Sequence, residues 1–216
     1  MRKIIIIGTL VCLLAGVSFA EDQKEKVSTT IVLKNDWSFP REGKDYTSQA
    51  ICSYWQYKWF GGGVDLRAKL KNDFLEAAPY ITLNYKHWYL LTGFSTNSKD
   101  QNYVQTGLWY ANKLGKFNVF VDLRNYWAVG RKDLSSFNDN FLEVIYPLND
   151  KFFVGTDLEY VHWWKGPSHN WFSAGPLVGY NISKNISVYV RPTYDWDFAD
   201  KTTGTLRVRL GLKFCF

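Results

Sequence analysis

The last twelve residues of the chain, TLRVRLGLKFCF, alternate without a break. Leu206, Val208, Leu210, Leu212, Phe214 and Phe216 form one set, and Arg207, Arg209, Gly211, Lys213 and Cys215 form the other. A period of two puts the sets on opposite faces of a β-strand. The pattern recurs upstream. Over 185–198, Ile186, Val188, Val190, Pro192, Tyr194 and Trp196 oppose Ser187, Tyr189, Arg191, Thr193 and Asp195. Over 171–182, Phe172, Ala174, Pro176, Val178, Tyr180 and Ile182 oppose Ser173, Gly175, Gly179 and Asn181. The stretches 152–164, 116–128 and 64–71 repeat it, and weaker members are read near 27–36, 48–59, 75–85, 88–95, 102–112 and 140–148. The total is about twelve strands, or ten if the first two are not part of the sheet.

Connections between these strands alternate in length. LND (148–150), SKN (183–185), NKLGK (112–116) and YKH (85–87) are tight turns. Between them lie longer polar stretches at 35–48, 95–102, 130–139, 165–170 and 199–204. Short turns on one side and longer loops on the other are the arrangement of a transmembrane β-barrel, with the short side periplasmic. Gly61-Gly62-Gly63 reads as a turn or a bend in the sheet.

Strand length separates a barrel from a soluble sandwich. Phe117 and Trp127 share a face ten residues apart. At about 3.3 Å per residue and a tilt of about 40°, they span roughly 25 Å of height, which is that of a barrel's apolar band. Trp37, Trp127, Trp164 and Trp196 then form an external girdle, and Phe117, Phe152, Tyr180, Phe214 and Phe216 a periplasmic one. A sandwich would explain the alternation, but not aromatics at both ends of one face, nor strands of this length.

The N-terminus reads as an export signal. Arg2 and Lys3 precede an apolar run from Ile4 to Val17, and Ser18-Phe19-Ala20 resembles a cleavage site. Residues 1–20 are expected to be a signal peptide and 21–216 the barrel. Loss of Arg2 and Lys3 takes the 26 basic residues to 24 against 20 acidic ones, too even a balance for a nucleic-acid partner. Aromatic residues make up 18% of the chain, with 10 Trp, yet no later apolar run reaches helical spanning length. That combination suits strands with one oily and one polar face. Cys52 and Cys215 fall on strands that are not neighbours and are read as free thiols.

The export signal, the alternation and the terminal Phe216 resemble those of Gram-negative outer-membrane β-barrels. The resemblance covers most of the mature chain as pattern. It implies that Leu210, Leu212, Phe214 and Phe216 form the signal read by the barrel-assembly machinery. It also implies outer-membrane lipid and lipopolysaccharide as surroundings. In size and strand number the chain is similar to the small monomeric porins for acidic sugars, although no motif ties it to them.

If the apolar set faces lipid, the other set faces inward, because an Arg or Lys at the lipid midplane costs about 2–4 kcal/mol. Inward basic candidates are Arg67, Lys69, Arg124, Arg191, Arg207 and Arg209, with Lys34, Lys58 and Lys213. Inward acidic candidates are Asp65, Asp122, Glu143, Asp157 and Glu159, with Glu76 and Asp195. The basic groups gather on the last two strands and on 64–71, and the acidic ones on 140–148 and 152–164. Placed on opposite walls, they would set a transverse field across a wet constriction and favour small polar or zwitterionic solutes. The alternative is an interior closed by salt bridges, for structure or adhesion. Tyr80, Trp109, Tyr126 and Tyr189 also point inward and narrow the space. No cofactor is expected, and no His, Cys or carboxylate group has metal-ligand spacing. An enzymatic barrel would need a Ser, His and acid group at the external rim. His87 falls in a periplasmic turn and His162 in the apolar phase. His169, near Ser168 and Ser173, lacks the spacing of a lipid-modifying barrel site.

Overall fold

The computed structural model describes residues 27–41, 44–69, 73–164, 170–198 and 204–216. The predicted leader, 1–20, lies outside them. Twelve strands run in chain order: β1 (Ser28–Pro40), β2 (Tyr46–Tyr57), β3 (Phe60–Lys69), β4 (Phe74–Tyr85), β5 (Trp88–Asn97), β6 (Asn102–Leu114), β7 (Phe117–Val129), β8 (Phe137–Pro147), β9 (Phe152–Trp163), β10 (Trp171–Ser183), β11 (Ile186–Asp197) and β12 (Gly204–Cys215). Each pairs antiparallel with the next, and β12 pairs with β1, so the sheet is a closed barrel without an edge. Twelve strands hold, not ten. Closure reaches the last residue: Thr29 N–H donates to Phe216 O at 3.0 Å, and Phe216 N–H donates to Thr29 O at 2.8 Å.

The register sets the tilt and width. Arg41 bonds to Gly204. The line then runs through Trp196, Phe172, Tyr160, Asn140, Leu123, Leu108, Leu90, Leu83, Phe60 and Tyr57. It returns to β1 beside Val27, fourteen residues before its start. With twelve strands that offset implies a tilt of roughly 40° and a backbone radius of about 12 Å. The outward residues are those the alternation marked as apolar. Leu33, Ile81, Leu90, Leu123, Val178, Val190 and Leu210 are exposed there. The aromatic girdles stand at the two heights predicted, with Trp127 and Trp164 in edge contact at 4.8 Å on one and Phe152 and Tyr180 at 5.0 Å on the other.

Three boundaries differ from the sequence reading. The stretch 35–48 is mostly strand, because Trp37 and Phe39 continue the apolar phase and Asp36 finds an inward partner. β8 begins at Phe137, not near 140, because Phe137 stacks on Tyr126 and Trp163, each with ring centres 4.4 Å away. Gly61-Gly62-Gly63 lies inside β3 and is no turn. A Cβ on Gly63 would come within 1.9 Å of Ser53 O and 2.7 Å of the Tyr80 hydroxyl, so the glycines make room for inward tyrosines. The far loops are therefore short. In 130–136, Arg131 and Asp133 form an exposed ion pair, and hydrogen bonding from Arg131 holds the Asp133 carboxyl below its ordinary range.

One packing consequence is testable at Gly175 on β10. A Cβ there would sit 2.0 Å from the backbone oxygen of Pro192 and 2.8 Å from Thr193 Cα. Backbone cannot swing aside as a side chain can. Gly175→Val should cost about 3 kcal/mol, the upper part of the overpacking range, in urea unfolding of vesicle-refolded protein.

Candidate functional site

The inward faces build one continuous interior. At mid-height on β7, Arg124 is the centre of the first group. Its Nη2 donates to Asp122 Oδ2 at 2.7 Å, and its Nε donates to Asp122 Oδ1 at 3.4 Å. Its Nη1 reaches Asp65 Oδ2 at 3.2 Å. Asp65 is on β3, with three strands between, so this bond crosses a chord of the barrel. The guanidinium also stacks over Trp109 and Tyr80, at 5.4 and 5.7 Å from the ring centres. Arginine suits this position because its planar fork satisfies two carboxylates while its face lies on aromatic rings.

A second group occupies the other wall. Arg191 on β11 meets Asp157 at 2.5 Å and Glu143 at 3.9 Å, and lies over Phe141. Arg207 on β12 meets Asp195 at 3.2 Å and Glu159 at 3.4 Å, donates to Ser173 Oγ at 3.1 Å, and lies over Trp171. Arg209 donates two 2.6 Å bonds to Asp36. Higher up, Arg67 sits 3.7 Å from Glu76 and leaves more than half its side chain exposed.

Every inward candidate but one therefore faces the interior. Lys58 is the exception. It sits in the turn between β2 and β3 at φ 52°, its ammonium 5.3 Å from the Tyr57 ring. The arrangement of charge also differs from the expected one. The strands carrying Arg191 and Arg207 are close to those carrying Asp157 and Glu159, so the two sets pair directly instead of facing each other as opposed walls. Five arginines are neutralised in this way, counting Arg124 and Arg209. The inward carboxylates Asp36 and Asp139 were not anticipated, since 35–48 and 130–139 read as loops, and neither was Asp197 at the end of β11. For Asp36 and Asp139 the signal was present in the apolar phase of Trp37 and Phe39, and in the aromatic Phe137.

What remains is a smaller, segregated set. Among the described residues, Lys34 on β1, Lys69 on β3 and Lys213 on β12 hold no ion pair. Asp139 on β8 holds none either, and Glu143, four residues on, has only the 3.9 Å contact. β8 stands across the ring from β2, which β1 and β3 flank. The unpaired lysines thus face Asp139 and the loosely held Glu143.

Toward the end bearing both strand termini, aromatic rings narrow the interior. Trp109 is their hub, with Tyr80 at 5.3 Å, Tyr54 at 5.7 Å, Phe120 at 5.9 Å and Tyr89 at 6.5 Å, and it is buried. Neither described histidine takes part. His87 is in a turn, His162 points outward on β9, and His169 lies outside the described residues. No group of three His, Cys, Asp or Glu among the described residues could hold a metal. Cys52 and Cys215 are free thiols, on strands that β1 separates.

A closed antiparallel barrel, oily outside and ionised inside, is the outer-membrane β-barrel fold. The same fold occurs in the NanC porin, with a TM-score of 0.60 at 12% identity over 84% of this chain and 98% of that one. It occurs in a KdgM porin in complex with disordered oligogalacturonate, with a TM-score of 0.58 at 15% identity over 86% and 99%. The translocator domain of the autotransporter NalP from Neisseria meningitidis gives a TM-score of 0.56 at 13% identity over 99% and 96%. No model of a protein family matches the chain, and no curated protein does.

Proposed function

We propose that the chain is a passive diffusion channel of the outer membrane for small polar solutes, exported by its N-terminal signal. The observation that carries this reading is that inward charged side chains stay open to water. Arg67 is 56% exposed, Asp65 29% and Glu143 26%, although all three point into the barrel. A dry, packed interior would not leave ionised groups so accessible. Two of the porins that share the fold point the same way, one of them bound to an oligogalacturonate.

On this reading the arginines are structural and the leftover charges select. Lys34, Lys69 and Lys213 on one side, against Asp139 and Glu143 on the other, set a weak transverse field and no strong preference of sign. Outer-membrane lipid and lipopolysaccharide surround the apolar band. Leu210, Leu212, Phe214 and Phe216 serve the assembly machinery, on the outward face next to the closing seam. The reading is non-enzymatic: His87 and His162 stand away from every inward carboxylate. The aromatic wedge around Trp109 supports a second reading, a barrel closed at one end that serves structure or adhesion.

Bilayer conductance of the refolded protein in symmetric salt separates the two. Discrete current steps are expected, and a silent bilayer at high protein load overturns the channel. In a salt gradient, Glu143→Gln should raise the anion-to-cation permeability ratio by about two- to threefold, and Lys34→Glu should lower it by a similar factor. Unchanged reversal potentials in both variants would remove these groups from the conduction path.

A further inference from the structure

The two rims of the barrel carry charge differently. Each of the five short turns holds one lysine, and each is exposed: Lys58 between β2 and β3, Lys86 between β4 and β5, Lys116 between β6 and β7, Lys151 between β8 and β9, and Lys184 between β10 and β11. Asp150 is the only acid in those turns. At the far rim the signs are mixed. Lys44 is followed by Asp45, Lys99 by Asp100, and Arg131 and Lys132 by Asp133. Before β1, Glu21, Asp22 and Glu25 stand against Lys24 and Lys26, a net of one acid and too little to offset the five turns.

Turn geometry alone does not call for these lysines. Lys58 and Lys86 stand at φ 52° and 56°, in the left-handed region that Gly, Asn and Asp enter more readily. Gly115 takes φ 62° in the next turn along. Each lysine also lies within two positions of an exposed large apolar residue: Trp59, Trp88, Phe117, Phe152 and Ile182 in chain order. The Lys86 ammonium is 5.3 Å from the Tyr85 ring, itself exposed. An ammonium on a flexible stem beside an apolar anchor suits a membrane interface, with the anchor at the acyl boundary and the charge among headgroups. The turns recur at every second strand, so the charge is spread around the circumference. A protein partner would gather its contacts on one side, whereas a headgroup layer meets the whole ring. We infer that the short-turn rim binds anionic phospholipid headgroups of the leaflet it faces, through one lysine per turn. The inference goes beyond the channel reading and does not depend on conduction. It requires only that the outward face meets lipid.

The test is electron spin resonance of spin-labelled lipids around protein refolded in phosphatidylcholine vesicles. At the protein boundary, labelled phosphatidylglycerol should be preferred over labelled phosphatidylcholine by about threefold. Salt at about 1 M should bring that ratio near one. Lys58→Gln, Lys86→Gln, Lys116→Gln, Lys151→Gln and Lys184→Gln together should do the same at low salt, with the heat-modifiable mobility of a folded barrel kept. Each change alone should remove a similar share, which keeps the test open if the fivefold variant fails to fold. Lys44→Gln, Lys99→Gln and Lys132→Gln together should leave the preference in place. No preference in the wild type, a preference carried by a single turn, or one lost equally in the far-rim variant would each overturn the inference. So would a fivefold variant that keeps the lipid preference but loses retention on isolated peptidoglycan, since its lysines would then face the cell wall.

Discussion

Arg124→Met is expected to destabilise the barrel by about 3 kcal/mol, near the lower end for breaking a buried ion pair. The carboxylate of Asp122, with 14% of its side chain exposed, would lose two bonds and keep its charge in a confined space. Asp65, with 29% exposed, keeps contact with water, which places the loss at the lower end. Urea unfolding in vesicles reads the effect. Arg124→Met combined with Asp122→Asn should recover more than half of it, because the stranded charge is then gone. Arg124→Lys should recover less, since an ammonium restores charge but neither the fork to Asp122 nor the flat stack on Trp109. A loss below about 1 kcal/mol in the single variant would mean that this pair behaves like an exposed surface bridge.

Trp109→Ala should have two effects that pull apart. Removing a buried indole in edge contact with Tyr54, Tyr80 and Phe120 is expected to cost about 3–5 kcal/mol. It also removes the bulkiest ring at the narrow end, so unit conductance should rise even as stability falls. A fall in stability with conductance unchanged would place the ion path along the opposite wall, past Tyr189 and Lys213. A rise in both is not expected, because the wedge holds Arg124 from below.

The fold was legible because the lipid-facing alternation is demanded at every other position of every strand. Val188, Val190 and Leu210 sit where an ionised residue would be costly, so the phase is written into the chain. The inward residues were legible for the same reason, as the complement of that phase. Their partners were not. That Arg124 would cross three strands to Asp65, and Arg191 reach Asp157 and Glu143, follows from circumference and offset, which no single strand encodes. Strand ends were the weakest part of the reading. Asp36, Ser38 and Asp139 look like loop residues until the opposite strand supplies Arg209, or a neighbouring ring stacks on Phe137. The triple glycine misled for a similar reason: its cause is the pair of tyrosines on flanking strands.

The seam between β1 and β12 has a consequence for how the molecule is made. Thr30 stands opposite Cys215, and the intervening hairpins each leave a bare edge until those two meet. The first strand synthesised cannot be satisfied before the last one leaves the ribosome. Nucleation is therefore tied to the longest sequence separation in the chain, a topology that folds slowly. Such a polypeptide must be held unfolded over its whole length in transit, and a truncation that removes β12 would leave an incomplete ring whose two open edges invite aggregation.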